Sequence, residues 1–301
     1  MNTTTRRQFL QTSVLTGAGL VAGADSAAAI EPIHRAGPAH LRLSIAAYSF
    51  RQELTSKPKP KMTLDDFIDL AAGLDLDAVE LTAYYFPKTI APDYLAHLKG
   101  RCTRLGLDVS GTAVGNNFCV ADPDKLKAQI DMVKQWIEHS SRLGAKTIRI
   151  FAGTVAKGDS EEKARERCVA AIQEACDYAA KYGIYLALEN HGGITGTLEQ
   201  ILALVKAVQH DYFGVNLDTG NFHTADPYGD LEKLAPYAVT VQIKTEIQQR
   251  GMKKEDADLK RLIDMLAKAR YRGYVALEYE AAEDARTAIP RHMETLKKLV
   301  R

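Results

Sequence analysis

Cysteine is scarce in this chain, net charge is nearly absent, and long apolar runs are missing. The four cysteines, Cys102, Cys119, Cys168 and Cys176, form no Cys-x-x-Cys pair and show no spacing with histidine that would build a zinc site. They read as reduced core or surface thiols. Lys plus Arg number 39 against 38 for Asp plus Glu, so no excess of one sign attracts nucleic acid or an anionic membrane. No Gly-x-Gly-x-x-Gly follows the first strand-like run and no Gly-x4-Gly-Lys-Ser/Thr occurs, which leaves nucleotide binding without support. What is present is 46% hydrophobic and 26% charged residues over 301 positions. That composition excludes disorder, collagen-like repeats and a disulfide-stapled miniprotein, and allows a large core.

Residues 1–29 stand apart. A polar start leads to Thr5-Arg6-Arg7-Gln8-Phe9-Leu10, then an apolar Gly/Ala-rich stretch from Val14 to Ala24, then Ala27-Ala28-Ala29. These are the three parts of an export signal with a small-residue cleavage site. The arginine pair before Phe-Leu resembles a twin-arginine signal, read by its export machinery. The apolar stretch is shorter than the roughly 20 residues of a stable membrane span. Removal of residues 1–29 takes away Arg6, Arg7 and Asp25 and leaves 37 basic and 37 acidic side chains. The expected location is periplasmic or secreted, with residues 30–40 as a linker and 41–301 as the folded unit.

From Leu41 short β-branched or apolar runs alternate with longer amphipathic stretches, the pattern of a parallel sheet with helical crossovers. The strand candidates are 42–48, 78–82, 108–113, 147–151, 185–189, 214–218, 240–244 and 274–278. Helices are expected to begin near Thr63, Asp93, Asp124, Ser160, Thr197, Leu231, Asp256 and Asp284, several behind a capping side chain. Eight such units predict an α/β fold, a single-domain (β/α)8 TIM barrel, in preference to a doubly wound sheet.

In such a barrel the loops after the strands form the active face. The fifth strand ends Leu-Glu189-Asn-His191-Gly-Gly, the sixth Leu-Asp218-Thr-Gly-Asn221-Phe-His223, and the eighth Leu-Glu278-Tyr-Glu280. The seventh reads Gln242-Ile-Lys244-Thr-Glu246, whose alternation predicts one shared face for the three polar residues. Each acid taken singly also reads as a helix cap or an ion-pair partner. Together, three acids and a neutral donor on neighbouring strands predict a site for a hard divalent cation. Glu80 after the second strand and Arg149 on the fourth are further substrate-binding candidates, each with an equally plain reading as a capping or paired group. His191 reads either as a substrate-orienting imidazole or as a loop histidine bonded to backbone.

These motifs resemble the xylose-isomerase-like TIM barrels, the sugar isomerase/epimerase superfamily, over roughly residues 40–300. The resemblance implies a metal held by Glu189, Asp218, the residue at 242 and Glu278, with Glu189 and Glu278 as the proton-transferring pair. Gln242 stands where the family usually has histidine, in a motif that generally reads His-x-Lys-Asp. Asn221 stands where many epimerases carry a substrate-binding histidine, and His223 lies two positions further on. The expected cofactor is Mn, Mg, Co or Zn. The expected activity is isomerisation or epimerisation of a sugar through an enediolate, with a lyase on a keto-sugar and an inactive carbohydrate-binding barrel as alternatives. Expected partners are a small-molecule carbohydrate and no nucleic acid, with a homo-oligomer left open.

Overall fold

The computed structural model describes residues 31–300, so the export segment at 1–29 lies outside the described residues. The strands run β1 His40–Ala46, β2 Ala78–Thr82, β3 Asp108–Ala113, β4 Thr147–Ile150, β5 Tyr185–Glu189, β6 Phe213–Asp218, β7 Ala238–Ile243, β8 Glu246–Ile247, β9 Glu255–Asp256 and β10 Arg272–Leu277. The helices are α1 Arg51–Leu54, α2 Leu64–Gly73, α3 Pro92–Arg104, α4 Pro123–Leu143, α5 Glu161–Ala180, α6 Leu198–Ala207, α7 Pro227–Leu234, α8 Leu259–Lys268 and α9 Ala285–Val300. Among the described residues, eight strands close in the order β1-β10-β7-β6-β5-β4-β3-β2, while β8 and β9 form a separate two-stranded sheet. All eight barrel pairings are parallel, so every strand ends at the same mouth.

The apolar face of the strands points outward to the helices. Ile45, Val79, Ile148, Leu186, Leu217 and Val275 are all fully buried there, each contributing about 1.5–3 kcal/mol of transfer free energy. The lumen is polar instead: Ser44 on β1 and Ser110 on β3 share a 2.9 Å hydrogen bond past the intervening β2. A barrel interior is ordinarily filled with branched aliphatic side chains. A polar lumen must be paired internally, because buried polar groups without partners are costly.

Most predicted elements form, with shifted ends. The first strand begins at His40, inside the expected linker, because His40 pairs with Arg272. It ends at Ala46, since Ala47 and Phe50 are buried in a 3-10 turn instead of extending the strand. Helix α7 starts at Pro227, four residues before the expected Leu231, behind an Asp226 cap accepting from Gly229 N; Pro at the first helical position is the ordinary arrangement. Asp256 begins no helix: it pairs with Glu246 across the small sheet, and Asp258 caps α8.

Candidate active site

Parallel strand order brings the polar residues that close strands to one mouth. Glu189 is the last residue of β5, Asp218 the last of β6, Gln242 the penultimate residue of β7, and Glu278 follows β10 by one position. Arg149 is penultimate in β4, Glu80 lies within β2, and Lys244 follows β7. Register aligns Asp218 with Gln242, and Gln242 with Ala276. None of these seven is more than 6% exposed. Seven polar groups at that depth have to satisfy one another.

Most of their polar atoms do so through one continuous network of hydrogen bonds and ion pairs, Asp218 Oδ2 being an exception that accepts no hydrogen bond. Arg149 Nε lies 2.8 Å from Glu189 Oε2, and its guanidinium sits 4.0 Å from the centre of the Phe151 ring. Glu189 also accepts from Asn221 Nδ2 at 3.0 Å and Asn216 Nδ2 at 3.2 Å. Asn216 Nδ2 further donates to Gln242 Oε1 at 2.6 Å. The Gln242 amide nitrogen donates to Glu80 Oε1 at 2.8 Å and, more weakly, to Glu278 Oε1 at 3.4 Å. Lys244 Nζ donates to Glu278 Oε2 and Glu280 Oε2, both at 2.6 Å, and lies 3.4 Å from Asp218 Oδ2. Asp218 Oδ1 accepts from Gly220 N at 2.8 Å.

Burial dominates the protonation of the acids. It raises Glu80 to about 8, with Glu278 adding to it and Arg149 opposing. Glu189 rises to about 7 for the same first reason, against the pull of Arg149. Asp218 reaches about 8 despite Lys244. For Lys244 burial acts the other way, but Asp218, Glu278 and Glu280 outweigh it and hold the ammonium well above its usual value. A lysine so held is a fixed cation, unlike the desolvated, deprotonated amine of a Schiff-base enzyme. Burial and Arg149 lower His191, favouring neutral imidazole, and its ring lies 4.3 Å from that of Phe151.

A cavity of about 180 Å³ opens above this network, lined by Arg149, Glu189, His191, Asn221, Lys244 and Glu278 among others. At about 30 Å³ per water it has room for about six, the scale of one small polyol. Tyr48, Tyr84 and Phe151 add aromatic walls. The structure therefore brings six predicted residues to one space. Glu80, Asp218 and Gln242 belong to the buried network without lining that cavity. His223 lines an adjoining cavity of about 80 Å³ that shares Asn221, Lys244 and Glu280 with the first; Phe222 is the buried residue of that turn and His223 is exposed.

The expected ion, Mn, Mg, Co or Zn, does not fit these residues as arranged. Among the described residues no group of three His, Cys, Asp or Glu side chains is positioned to hold a metal. The Gln242 oxygen expected to be a ligand accepts a hydrogen bond from Asn216 Nδ2, and its nitrogen faces two carboxylates. Asp218 Oδ2 accepts no hydrogen bond, yet an ion bridging it to Glu278 would meet the Lys244 ammonium between them. Glu246, expected to share a face with Lys244, lies in the separate β8–β9 sheet and pairs with Lys254 at 3.6 Å.

Two network members were not singled out by sequence reasoning. Asn216 precedes Asp218 by two residues on β6, and the strand period alone puts both on the lumen face. Glu280 becomes a partner of Lys244 only when β10 closes beside β7.

A family model described as xylose isomerase-like TIM barrel matches residues 68–299. No curated protein matches the chain in sequence. Solved structures do resemble it. D-psicose 3-epimerase in the presence of D-fructose is 17% identical with a TM-score of 0.69, over 86% of this chain and 100% of that one. The 3-keto-D-glucoside 4-epimerase YcjR from E. coli is 14% identical with a TM-score of 0.68, over 86% and 99%. The IOLI protein with a bound zinc atom is 20% identical with a TM-score of 0.71, over 86% and 98%. At these identities the likeness is one of fold.

Proposed function

Because this chain belongs to the xylose isomerase-like TIM barrel family, we propose that it is a sugar isomerase or epimerase that moves a proton at a carbon next to a carbonyl group. The observation that carries this reading is the pair Glu189 and Glu278, facing one cavity together with the fixed cations Arg149 and Lys244. One carboxylate removes the C–H proton while the electron pair moves onto the carbonyl oxygen. The resulting enediolate receives its proton on the opposite face of the same carbon for epimerisation, or on the neighbouring carbon for isomerisation. Glu189, with a pKa of about 7, suits the base, since a general base works best near the operating pH. Glu278 is the second proton carrier, and Asn221 and His191 orient hydroxyl groups.

A keto-sugar without phosphate fits best, because Glu189, Glu278 and Glu280 line the cavity against two cations. Structures of similar fold, the psicose, L-ribulose and 3-keto-glucoside epimerases, support the same class. An exported location, read from Arg6-Arg7, agrees with an unphosphorylated substrate and stays part of this proposal.

The test is a panel of ketoses and 3-keto-glycosides incubated with the protein in deuterated water and followed by NMR. Deuterium is expected at the carbon next to the carbonyl, with epimer or isomer formed. Loss of a β-substituent would convert the reading to a lyase, and no exchange into any member would retire it.

A further inference from the structure

We propose that the Lys244 ammonium, seconded by the Arg149 guanidinium, takes the place that a divalent cation would fill in this barrel, so that the positive charge of the site is built into the chain. Lys244 Nζ contacts carboxylates from two strands: Glu278 and Glu280 beyond β10 at 2.6 Å, and Asp218 at the end of β6 at 3.4 Å. Asp218 Oδ2 and Glu278 Oε2 are thus no more than about 6 Å apart and both within reach of the one ammonium, which competes for the space that an ion bridging them would need. Arg149 neutralises Glu189 from the other side at 2.8 Å. Gln242 completes the arrangement: its oxygen accepts from Asn216 and its nitrogen donates to Glu80 and Glu278, so both ends of the amide are held by side chains of the chain itself. Lys244 lines the cavity, so its cation is also available to an oxygen on a bound molecule.

The catalytic consequence rests on the function proposed above. When a carboxylate takes the C–H proton and the electron pair reaches the carbonyl oxygen, the developing negative charge is met by Lys244 N–H and not by a Lewis acid. Proton and electron pair both balance within chain and substrate. A preorganised donor of this kind is worth about 10² to 10³ in turnover, the loss expected for Lys244→Met.

Metal binding tests the inference without any substrate. Purified full-length protein and a double variant, Lys244→Met with Gln242→His, are titrated with MnCl2 by calorimetry and by the Mn²⁺ resonance spectrum. Thermal unfolding is followed in parallel with and without a chelator. No stoichiometric Mn²⁺ uptake by the native protein, an unfolding midpoint indifferent to chelator, and one Mn²⁺ per chain in the double variant are the expected results. Stoichiometric uptake by the native protein that Glu278→Gln abolishes overturns it. So does a folded double variant that binds none, since removing the ammonium then opens no cation site. Absence of deuterium exchange on every sugar sinks the isomerase reading while leaving the metal result intact, so the two failures are distinguishable.

Discussion

Glu80 sits in the floor of the barrel mouth, donated to by Gln242 and raised to about 8 by burial. An acid whose folded pKa exceeds its unfolded value of about 4.3 holds its proton more tightly in the fold. Its stabilising contribution is complete below about 4.3 and is lost as pH rises toward about 8. Asp218, also near 8, and Glu189, near 7, act in the same direction. Glu80→Gln keeps an acceptor for Gln242 and cannot titrate, so urea unfolding at several pH values should show a shallower decline of stability across that range than in the native protein. An unchanged slope would mean that Glu80 is already ionised in the fold.

Asn216 makes a second residue-scale prediction. Asn216→Leu leaves Gln242 Oε1 without its donor and Glu189 Oε2 with one fewer. A buried acceptor left unsatisfied costs about 1–3 kcal/mol, measurable as a lower urea midpoint at unchanged m-value. The placement of Glu189, Asp218, Gln242 and Glu278 at strand ends was legible in the sequence because each closes an apolar run. The partners of Lys244 were not. Strand alternation put Glu246 on the face of Lys244, whereas Glu278 and Glu280 arrive from a strand some 30 residues later that barrel closure sets beside β7.

At the scale of elements, most helix starts were well marked, those of α7 and α8 excepted. Thr63 and Thr197 each form a capping box, with Asp66 and Gln200 respectively, as their spacing in the sequence implies. Strand ends were less so, since burial continues past Ala46 where hydrogen bonding stops. The loop between β5 and α6 carries His191 and then two glycines with positive φ, Gly192 at 68° and Gly193 at 53°. A Cβ at Gly193 would lie 2.1 Å from Gly153 O, while one at Gly192 meets nothing within 4 Å. Both alanine variants carry left-handed strain of about 1–3 kcal/mol, but only Gly193→Ala must also displace the β4 loop. It should therefore be the less stable of the two in urea and show the larger rise in KM on whichever sugar is turned over. Equal behaviour of the two variants would dissociate this close approach from the site.

For the whole molecule, the eightfold alternation was enough to read the barrel, because parallel strands with helical crossovers and no nucleotide motif leave few other closures. The polar lumen was readable only in part. Which inward residues meet depends on the order β10-β7-β6-β5-β4 around the barrel, a property of closure and not of any one segment. The export signal is a separate proposal of the same scale: Arg6→Lys with Arg7→Lys preserves charge but removes the guanidinium pair. The double variant should accumulate in the cytoplasmic fraction, and unimpaired export would assign the segment to another route.

Solvent-deuterium uptake by chelator-treated protein tests the account most directly. The rate at which deuterium enters the carbon next to the carbonyl of a 3-keto-glycoside or ketose is measured by NMR before and after chelation, and in Glu189→Gln. The same rate is expected with and without chelator, with a fall of at least about 10² in the variant. Exchange that vanishes on chelation and returns with Mn²⁺, or that survives intact in Glu189→Gln, would contradict it.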